Sequence, residues 1–268
     1  MTIAWSMDKL GPMARTADDC GLILSVIAGH DAKDHDSLPP GLAEFPYSVH
    51  SRKLRIGKLT NVWNRVDPAL ESAIDASLKA LEKNGATIAD VQAPEGPFED
   101  AAELTILMEA ASAFQNMIAD GSCAGLKDPL GQINGYPSQE FTSTDYLHVQ
   151  RVRTILQQRI DKLFDQFDVI AAAGNSSVAR PLTPPSRPSD RPTPARDTTS
   201  PDNSQRAPDG ISSLCGLPAC GVPCGFSKDN LPFGIQFMAR ALNDEAAIAA
   251  ARTFQSLTDW HKKRPAVS

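Results

Sequence analysis

Long apolar runs are missing from this 268-residue chain, and with them any segment able to span a bilayer. The first thirty residues carry Asp8, Lys9, Arg15, Asp18 and Asp19, so the uninterrupted apolar stretch of a secretion signal is absent too. Clustered positive charge is equally scarce. The net charge is -6, the pI is near 5.4, and the longest basic run is Lys262-Lys263-Arg264. Nucleic acid and anionic membrane both need a concentrated positive field, so neither is expected as a partner. The five cysteines include no Cys-x2-Cys pair, and their odd number without a secretion signal reads as reduced thiols in a cytoplasmic protein. No internal repeat occurs.

What remains is the balance of a globular protein: 41% hydrophobic residues, 22% charged, and a mean hydropathy of -0.25. Thr16 suits a helix N-cap, Asp18 and Asp19 suit its first turn, and Gly29 suits its stop. Between them Leu22, Ile23, Leu24, Val26 and Ile27 leave almost no polar side, which predicts a buried helix. Residues 54–59 alternate like a strand. Asp67-Pro68 opens a helix on Leu70, Ile74, Leu78 and Leu81, Asn84-Gly85 closes it, and 86–91 reads as the next strand. That spacing predicts a parallel βαβ unit with a right-handed crossover.

Two long helices are expected over 99–118 and 144–167, the second presenting Leu147, Ile155, Ile160, Leu163 and Phe164 as its apolar face. A buried strand follows at 168–173. From Arg180 to Pro208 the composition changes, with eight prolines among Ser, Thr, Asp and Arg. This stretch is expected to be a long surface loop. Strands over 219–225 and 233–239, turning around Asp229-Asn230, and a helix over 244–257 complete the chain.

Candidate chemistry is sparse. His30-Asp31-Ala32-Lys33-Asp34-His35-Asp36 has the donor types of a metal site, but it follows a helix stop, where a solvated polar loop is the expected outcome. Cys215, Cys220 and Cys224 lack zinc-ligand spacing and read as small buried thiols. Asn175, Ser176 and Ser177 follow a strand, where α/β sites form, yet without the Gly-x-Ser-x-Gly pattern of a nucleophile elbow. They are expected to line a substrate pocket or form a turn. Ser212-Ser213 is a weaker candidate, sitting in a predicted helix start. No metal site and no cofactor is expected.

Four segments, in order, resemble the amidase signature family. The first is Met7-Asp8-Lys9-Leu10-Gly11-Pro12-Met13-Ala14-Arg15-Thr16-Ala17-Asp18-Asp19, continuing through Ile27-Ala28-Gly29-His30-Asp31. Next come Leu54-Arg55-Ile56-Gly57 with Val66-Asp67-Pro68, then Asp145-Tyr146-Leu147 with Arg153 and Asp168-Val169-Ile170. The last comprises Cys215-Gly216-Leu217-Pro218-Ala219, Val222-Pro223-Cys224-Gly225, Leu231-Pro232-Phe233-Gly234-Ile235-Gln236 and Thr258-Asp259-Trp260-His261.

The resemblance implies an α/β fold, a mixed β-sheet flanked by helices, and hydrolysis of carboxylic amides. In the family a Ser-cisSer-Lys triad performs it: one serine attacks, and the lysine acts as base through the bridging serine. Those residues lie upstream of the Asp-x-x-Gly-Pro stretch, which here begins at Asp8. Lys9 and Lys33 lack the family's lysine motif, and no Gly-Gly-Ser-x-Arg-x-Pro pattern occurs, so no catalytic residue is carried over.

The expectation is a partial amidase-like domain over 1–268, with the 180–208 loop inside it and without the triad. Such a chain would be inactive alone. It would act on a small amide substrate only if the missing region is supplied, or else serve as a non-catalytic binding protein or the complementing fragment of a split amidase. An exposed sheet edge would favour self-association.

Overall fold

The structure is a computed structural model that describes residues 2–35, 37–42, 45, 53–61, 67–127, 132, 140–175, 178–179 and 208–264. Five strands form one mixed sheet in the order β2-β1-β3-β5-β4: β1 is Arg55–Leu59, β2 Thr87–Val91, β3 Val169–Ala173, β4 Ala219–Phe226 and β5 Pro232–Ala239. β1 runs parallel to both β2 and β3, whereas β5 is antiparallel to β3 and β4. The sheet is therefore parallel on one side and closes with a β-hairpin on the other. The mixed sheet flanked by helices agrees with the fold class expected from the sequence.

The βαβ unit forms as expected through α2 (Pro68–Lys83). Asp67 caps it by accepting the Ala69 N–H at 2.8 Å, and Pro68 occupies the first turn, where a missing N–H costs nothing. Leu70, Ile74, Leu78 and Leu81 are buried, and Gly85 takes a φ of +97° in the turn that follows. In β1, Gly57 lets strand and neighbours close up: a Cβ there would stand 2.8 Å from Val91 Cγ1 and 3.1 Å from Phe167 Cγ. β3 is buried along its whole length. The β4–β5 turn places Asn230 at a φ of 58°, as Asp229-Asn230 predicts. Pro223 sits on β4 at the sheet edge, where the β4–β5 register is irregular between Pro223 and Gly225. α7 (Asp244–Leu257) packs under β4 and β5, burying Ala246 to Ala251 and Phe254, whose ring lies 6.4 Å from that of Phe237.

Three helices depart from expectation. α1 (Ala17–Ile27) starts at the predicted cap, with Thr16 Oγ1 accepting the Asp19 N–H, but it is not buried. Ala17 and Gly21 face inward, while Leu22, Ile23, Val26 and Ile27 are exposed. The helix docks on α7: the Ala17 N–H reaches Gln255 Oε1, and Arg252 pairs with Asp18.

The expected helix over 99–118 is two, α3 (Phe98–Ala113) and α4 (Gln115–Ala119), broken at Phe114 with φ -106° and ψ 19°. Neither glycine nor proline marks that break. α5 (Ser143–Asp161) opens with a capping box between Thr142 and Asp145, then tightens into a 3₁₀ turn at Lys162–Asp165. Its buried stripe is Val149, Arg153, Leu156 and Ile160, and Leu147 and Ile155 face solvent. The buried face thus lies part of a turn away from the one expected, because the stripe includes a charged residue. α6 (Pro208–Cys215) leads into β4.

Candidate functional site

The carboxyl ends of β1, β2 and β3 open on one side of the sheet, where open α/β sheets bind their ligands. Asn61 braces this rim: its side chain donates to Ala93 O at 2.9 Å and accepts the Ala93 N–H at 2.8 Å. Gln236, buried on β5, donates from Nε2 to Ala173 O at 3.2 Å, and the Gly174 N–H donates to Gly234 O at 2.9 Å. β3 is thus held to its last residue. Asn175 follows immediately and is exposed at this rim. Ser176 and Ser177 lie outside the described residues, as does almost all of the 180–208 stretch.

A polar network on the other flank gathers Arg153 and Tyr146, which sequence reading marked only within the family resemblance and gave no role. Arg153 projects from the buried stripe of α5; its Nε donates to Leu214 O at 2.8 Å, Nη1 to Ser6 Oγ at 2.7 Å and Nη2 to Ser6 O at 2.7 Å. Ser6 in turn donates its N–H to Glu109 Oε2 at 2.8 Å and its hydroxyl to Glu109 Oε1 at 2.6 Å. The Tyr146 hydroxyl donates to the same Oε1 at 2.8 Å. Burial, reinforced by the Glu109 carboxylate, pushes the Tyr146 phenol above its usual range. Gln150 links Arg153 to Thr105, which closes the bridge between α3 and α5.

Lys9 ends the network. Its Nζ donates to Ser212 O at 3.1 Å and Leu217 O at 2.9 Å, so a cation sits at the carbonyl end of α6. Although the residue as a whole is exposed, burial of the ammonium lowers its pKa, against the opposing pull of Asp244 and Cys215. An arginine within a 149/153/156/160 apolar spacing was the available clue.

The thiols divide by position. Cys215 and Cys224 are buried, Cys220 is half-buried, and desolvation pushes all three up to about 12, so each is a protonated thiol at neutral pH. His30 to His35 lie exposed in a loop, with His30 Nδ1 on Leu38 O at 3.0 Å. Among the described residues no three His, Cys, Asp or Glu side chains gather as metal ligands. Ser212 is buried within α6, away from the β3 rim.

A cleft of about 670 Å³ opens between α5 and the turns flanking α6 and α7, lined in part by Gln158, Asp161, Cys215, Leu217 and Ala241. Leu217 precedes β4 and Ala241 follows β5. By the β3–β5 register, which sets Val169 against Ala239 and Ala173 against Ile235, this is the end of the sheet opposite Asn175. This cleft and the rim that would hold chemistry are therefore separate places. No helix among the described residues is long and apolar enough to cross a membrane.

Comparison with known proteins adds what the geometry leaves open. The family model described as Amidase matches residues 2–248. An amidase of Pseudomonas putida is 29% identical over 280 residues, covering 98% of this chain and 56% of that protein. One component of the glutamyl-tRNA(Gln) amidotransferase of Thermosynechococcus vestitus is 29% identical over 300 residues, covering 98% and 58% respectively. A solved bacterial aryl acylamidase of the amidase signature enzymes superposes with a TM-score of 0.74 at 22% identity, over 94% of this chain and 53% of that one. The chain thus spans somewhat over half the length of the curated relatives it matches. With a family match over most of its length and the family's mixed sheet beneath it, the chain belongs to the amidase signature family.

Proposed function

We propose that this chain forms one part of a composite amidase, contributing sheet and pocket wall to the hydrolysis of a carboxylic amide C–N bond and supplying no nucleophile or base of its own. The observation that carries this reading is the match of the Amidase family model over residues 2–248, with 29% identity to the Pseudomonas putida amidase across 98% of this chain. In the family arrangement a serine attacks the carbonyl, a bridging serine passes its proton to a lysine, and backbone N–H groups hold the oxyanion. The described residues offer no such constellation. Lys9, the lysine with a depressed pKa, spends two of its donors on Ser212 O and Leu217 O, at the end of the sheet opposite Asn175.

This chain's contribution is a wall. Asn175 follows β3 at the sheet rim, with Ser176 and Ser177 next in sequence, and Gln236 holds the end of that strand through Ala173 O. Arg153 and Glu109 hold Ser6 in place, and so orient the Asp8 stretch that in the family follows the catalytic segment. The reading treats residues 1–268 as a single partial domain acting on a small amide, with no cofactor and no nucleic-acid partner. Five free cysteines favour a reducing, cytoplasmic setting.

The test is turnover by the purified chain on a panel of simple amides, alone and with the unmatched part of an amidase added. No turnover alone and turnover in the mixture is the expected outcome. Turnover by the chain alone that disappears in Ser176→Ala or Ser177→Ala would overturn it.

A further inference from the structure

The cleft beside α5 holds positive charge that no described carboxylate answers. Ile155, Gln158 and Lys162 recur at i, i+3 and i+7, so they share one face of the helix along the cleft. Gln157 and Asp161 stand beside them, towards the buried stripe. Asp161 is already engaged, with its Oδ1 3.0 Å from Arg240 Nε, and Arg240 Nη2 pairs with Asp165 at 2.6 Å. The Lys162 ammonium has no ion-pair partner among the described residues. Arg159, which also borders the cleft, donates only to a neutral acceptor, Glu95 O at 2.7 Å.

The floor of the cleft has the same sign. Cys215 and Leu217 form it, at 5 and 3% exposure, and Gly216 between them turns the chain through a φ of +68°. Lys9 and Arg153 lie behind: Lys9 is held by Ser212 O and Leu217 O, and Arg153 by Leu214 O and Ser6. Burial keeps the Cys215 thiol protonated, but the charges that act on it are those two cations, and both favour an anion there. Asp244 offsets part of the Lys9 charge and does not act on Cys215.

The remaining surface is apolar. Ile155 is 49% exposed on the wall, and Ala241 faces it across Leu217. Leu242, the next residue, is 67% exposed and sits at a φ of 65°, a backbone region uncommon for leucine.

We propose that this cleft binds a small organic monocarboxylate with an apolar body, its carboxylate against the Lys162 ammonium and the Gln157 and Gln158 amides, its body against Ile155, Leu217 and Ala241. A volume of about 670 Å³ suits a ligand of this class. One free ammonium beside two amides matches a single negative charge, whereas a phosphate monoester would bring up to two charges to the same few donors. A neutral ligand would leave the cations unanswered. Because the cleft lies at the end of the sheet opposite Asn175, the site is distinct from the rim assigned to the amide and does not depend on that assignment.

Hexanoate is the probe, with hexanol and hexylammonium as the uncharged and oppositely charged forms of the same body. Titration of the whole chain, followed by ligand-observed NMR, should show saturable binding of hexanoate, several-fold weaker binding of hexanol and none of hexylammonium. Lys162→Glu should weaken hexanoate roughly fivefold or more. Lys162 is exposed, so an unchanged melting temperature should accompany that loss. Ile155→Trp fills the cleft from a half-exposed position and should abolish binding. Hexanoate binding unchanged in either variant, hexanol binding of equal strength, or no saturation up to about 10 mM overturns the proposal.

Place is read separately from affinity. Photolabelling with 4-azidobenzoate, an aryl carboxylate, should mark peptides containing 155–162 or 215–217, and excess hexanoate should protect them. Label confined to the peptide containing Asn175 would give the carboxylate to the β3 rim and remove the cleft site.

Discussion

Helices α1 and α7 lie against each other with composition and burial inverted. α7 is largely alanine and buries Ala246, Ala247, Ile248, Ala249, Ala250, Ala251 and Phe254. α1 is rich in Leu, Ile and Val, yet it buries Ala17 and Gly21. Small residues are buried in both because the helices meet on them, and a close approach needs short side chains. Hydrophobicity states what a helix can tolerate burying. Which side it buries is decided by the neighbour that comes close enough. α7 has the sheet on one side and α1 on the other, whereas α1 packs on α7 and leaves Leu22, Ile23, Val26 and Ile27 exposed.

The sharpest way to probe the well-covered region is Phe254→Ala. That side chain is fully buried and faces Phe237, so truncation leaves a cavity between helix and sheet. A loss of about 3–5 kcal/mol is expected in urea unfolding, with the slope unchanged. A loss below about 1 kcal/mol would mean that the α7–sheet contact is not the rigid half of the comparison.

Arg153→Met asks how firmly the N-terminal stretch is tied to that core. Methionine keeps much of the volume but strands Ser6 O, Ser6 Oγ and Leu214 O without their donor, next to the Glu109 carboxylate. Roughly 3 kcal/mol should be lost. Arg153→Lys should recover only part of it, since an ammonium cannot serve three acceptors in the guanidinium's fixed fork. Faster proteolysis at residues 6–15 would show that the stretch had detached. Full stability in the methionine variant would show that the network is ornamental.

Much of the sheet was legible beforehand, and the reason is local. The Asp67-Pro68 cap, the 70/74/78/81 spacing and the Asn84-Gly85 stop lie within one helix and need no partner to be read. The Asn230 turn and the uninterrupted apolar run of β3 are signals of the same kind. What failed depended on packing across the chain. Arg153 in the α5 stripe is explained by Ser6, which lies far away in sequence, and the break at Phe114 has no residue signal at all. For the rim, sequence reached Asn175 but not Gln236, whose role appears only once β5 is set beside β3. The family was legible from short segments whose residue identity matters more than hydrophobicity, among them the Asp67-Pro68 helix start, Asp168 before β3 and Arg153 within α5.

Cysteines compare the two regions at smaller amplitude. Cys215 and Cys224 are buried, with pKa values of about 12 against an ordinary 9.0. A thiol harder to ionise when folded holds its proton longer than in the unfolded chain. Its contribution is complete below pH 9 and is lost as the pH climbs from 9 towards 12. The slope over that window is up to about 1.4 kcal/mol per pH unit for each thiol. Stability at pH 10 relative to pH 8 should therefore fall less in Cys224→Ala than in the parent. An equal fall in both would place Cys224 in contact with solvent.

The smallest effect is the most instructive, because it should be nearly nothing. Val26→Lys puts a cation on the exposed face of α1, in its last turn, where no basic residue now stands. Lysine is a good helix former and suits the carbonyl end of the dipole. Ala250→Lys makes the same chemical change at a fully buried position on α7. The first should shift stability by no more than about 0.5 kcal/mol, and the second should prevent folding or cost several kcal/mol. If Val26→Lys instead costs several kcal/mol with the chain monomeric, Val26 is covered within the chain itself, and the contrast between α1 and α7 disappears. A loss that grows with protein concentration would mean that α1 is covered by another copy. A neutral result leaves a valine whose hydrophobicity does nothing for the stability of this chain alone, in keeping with its exposure on α1.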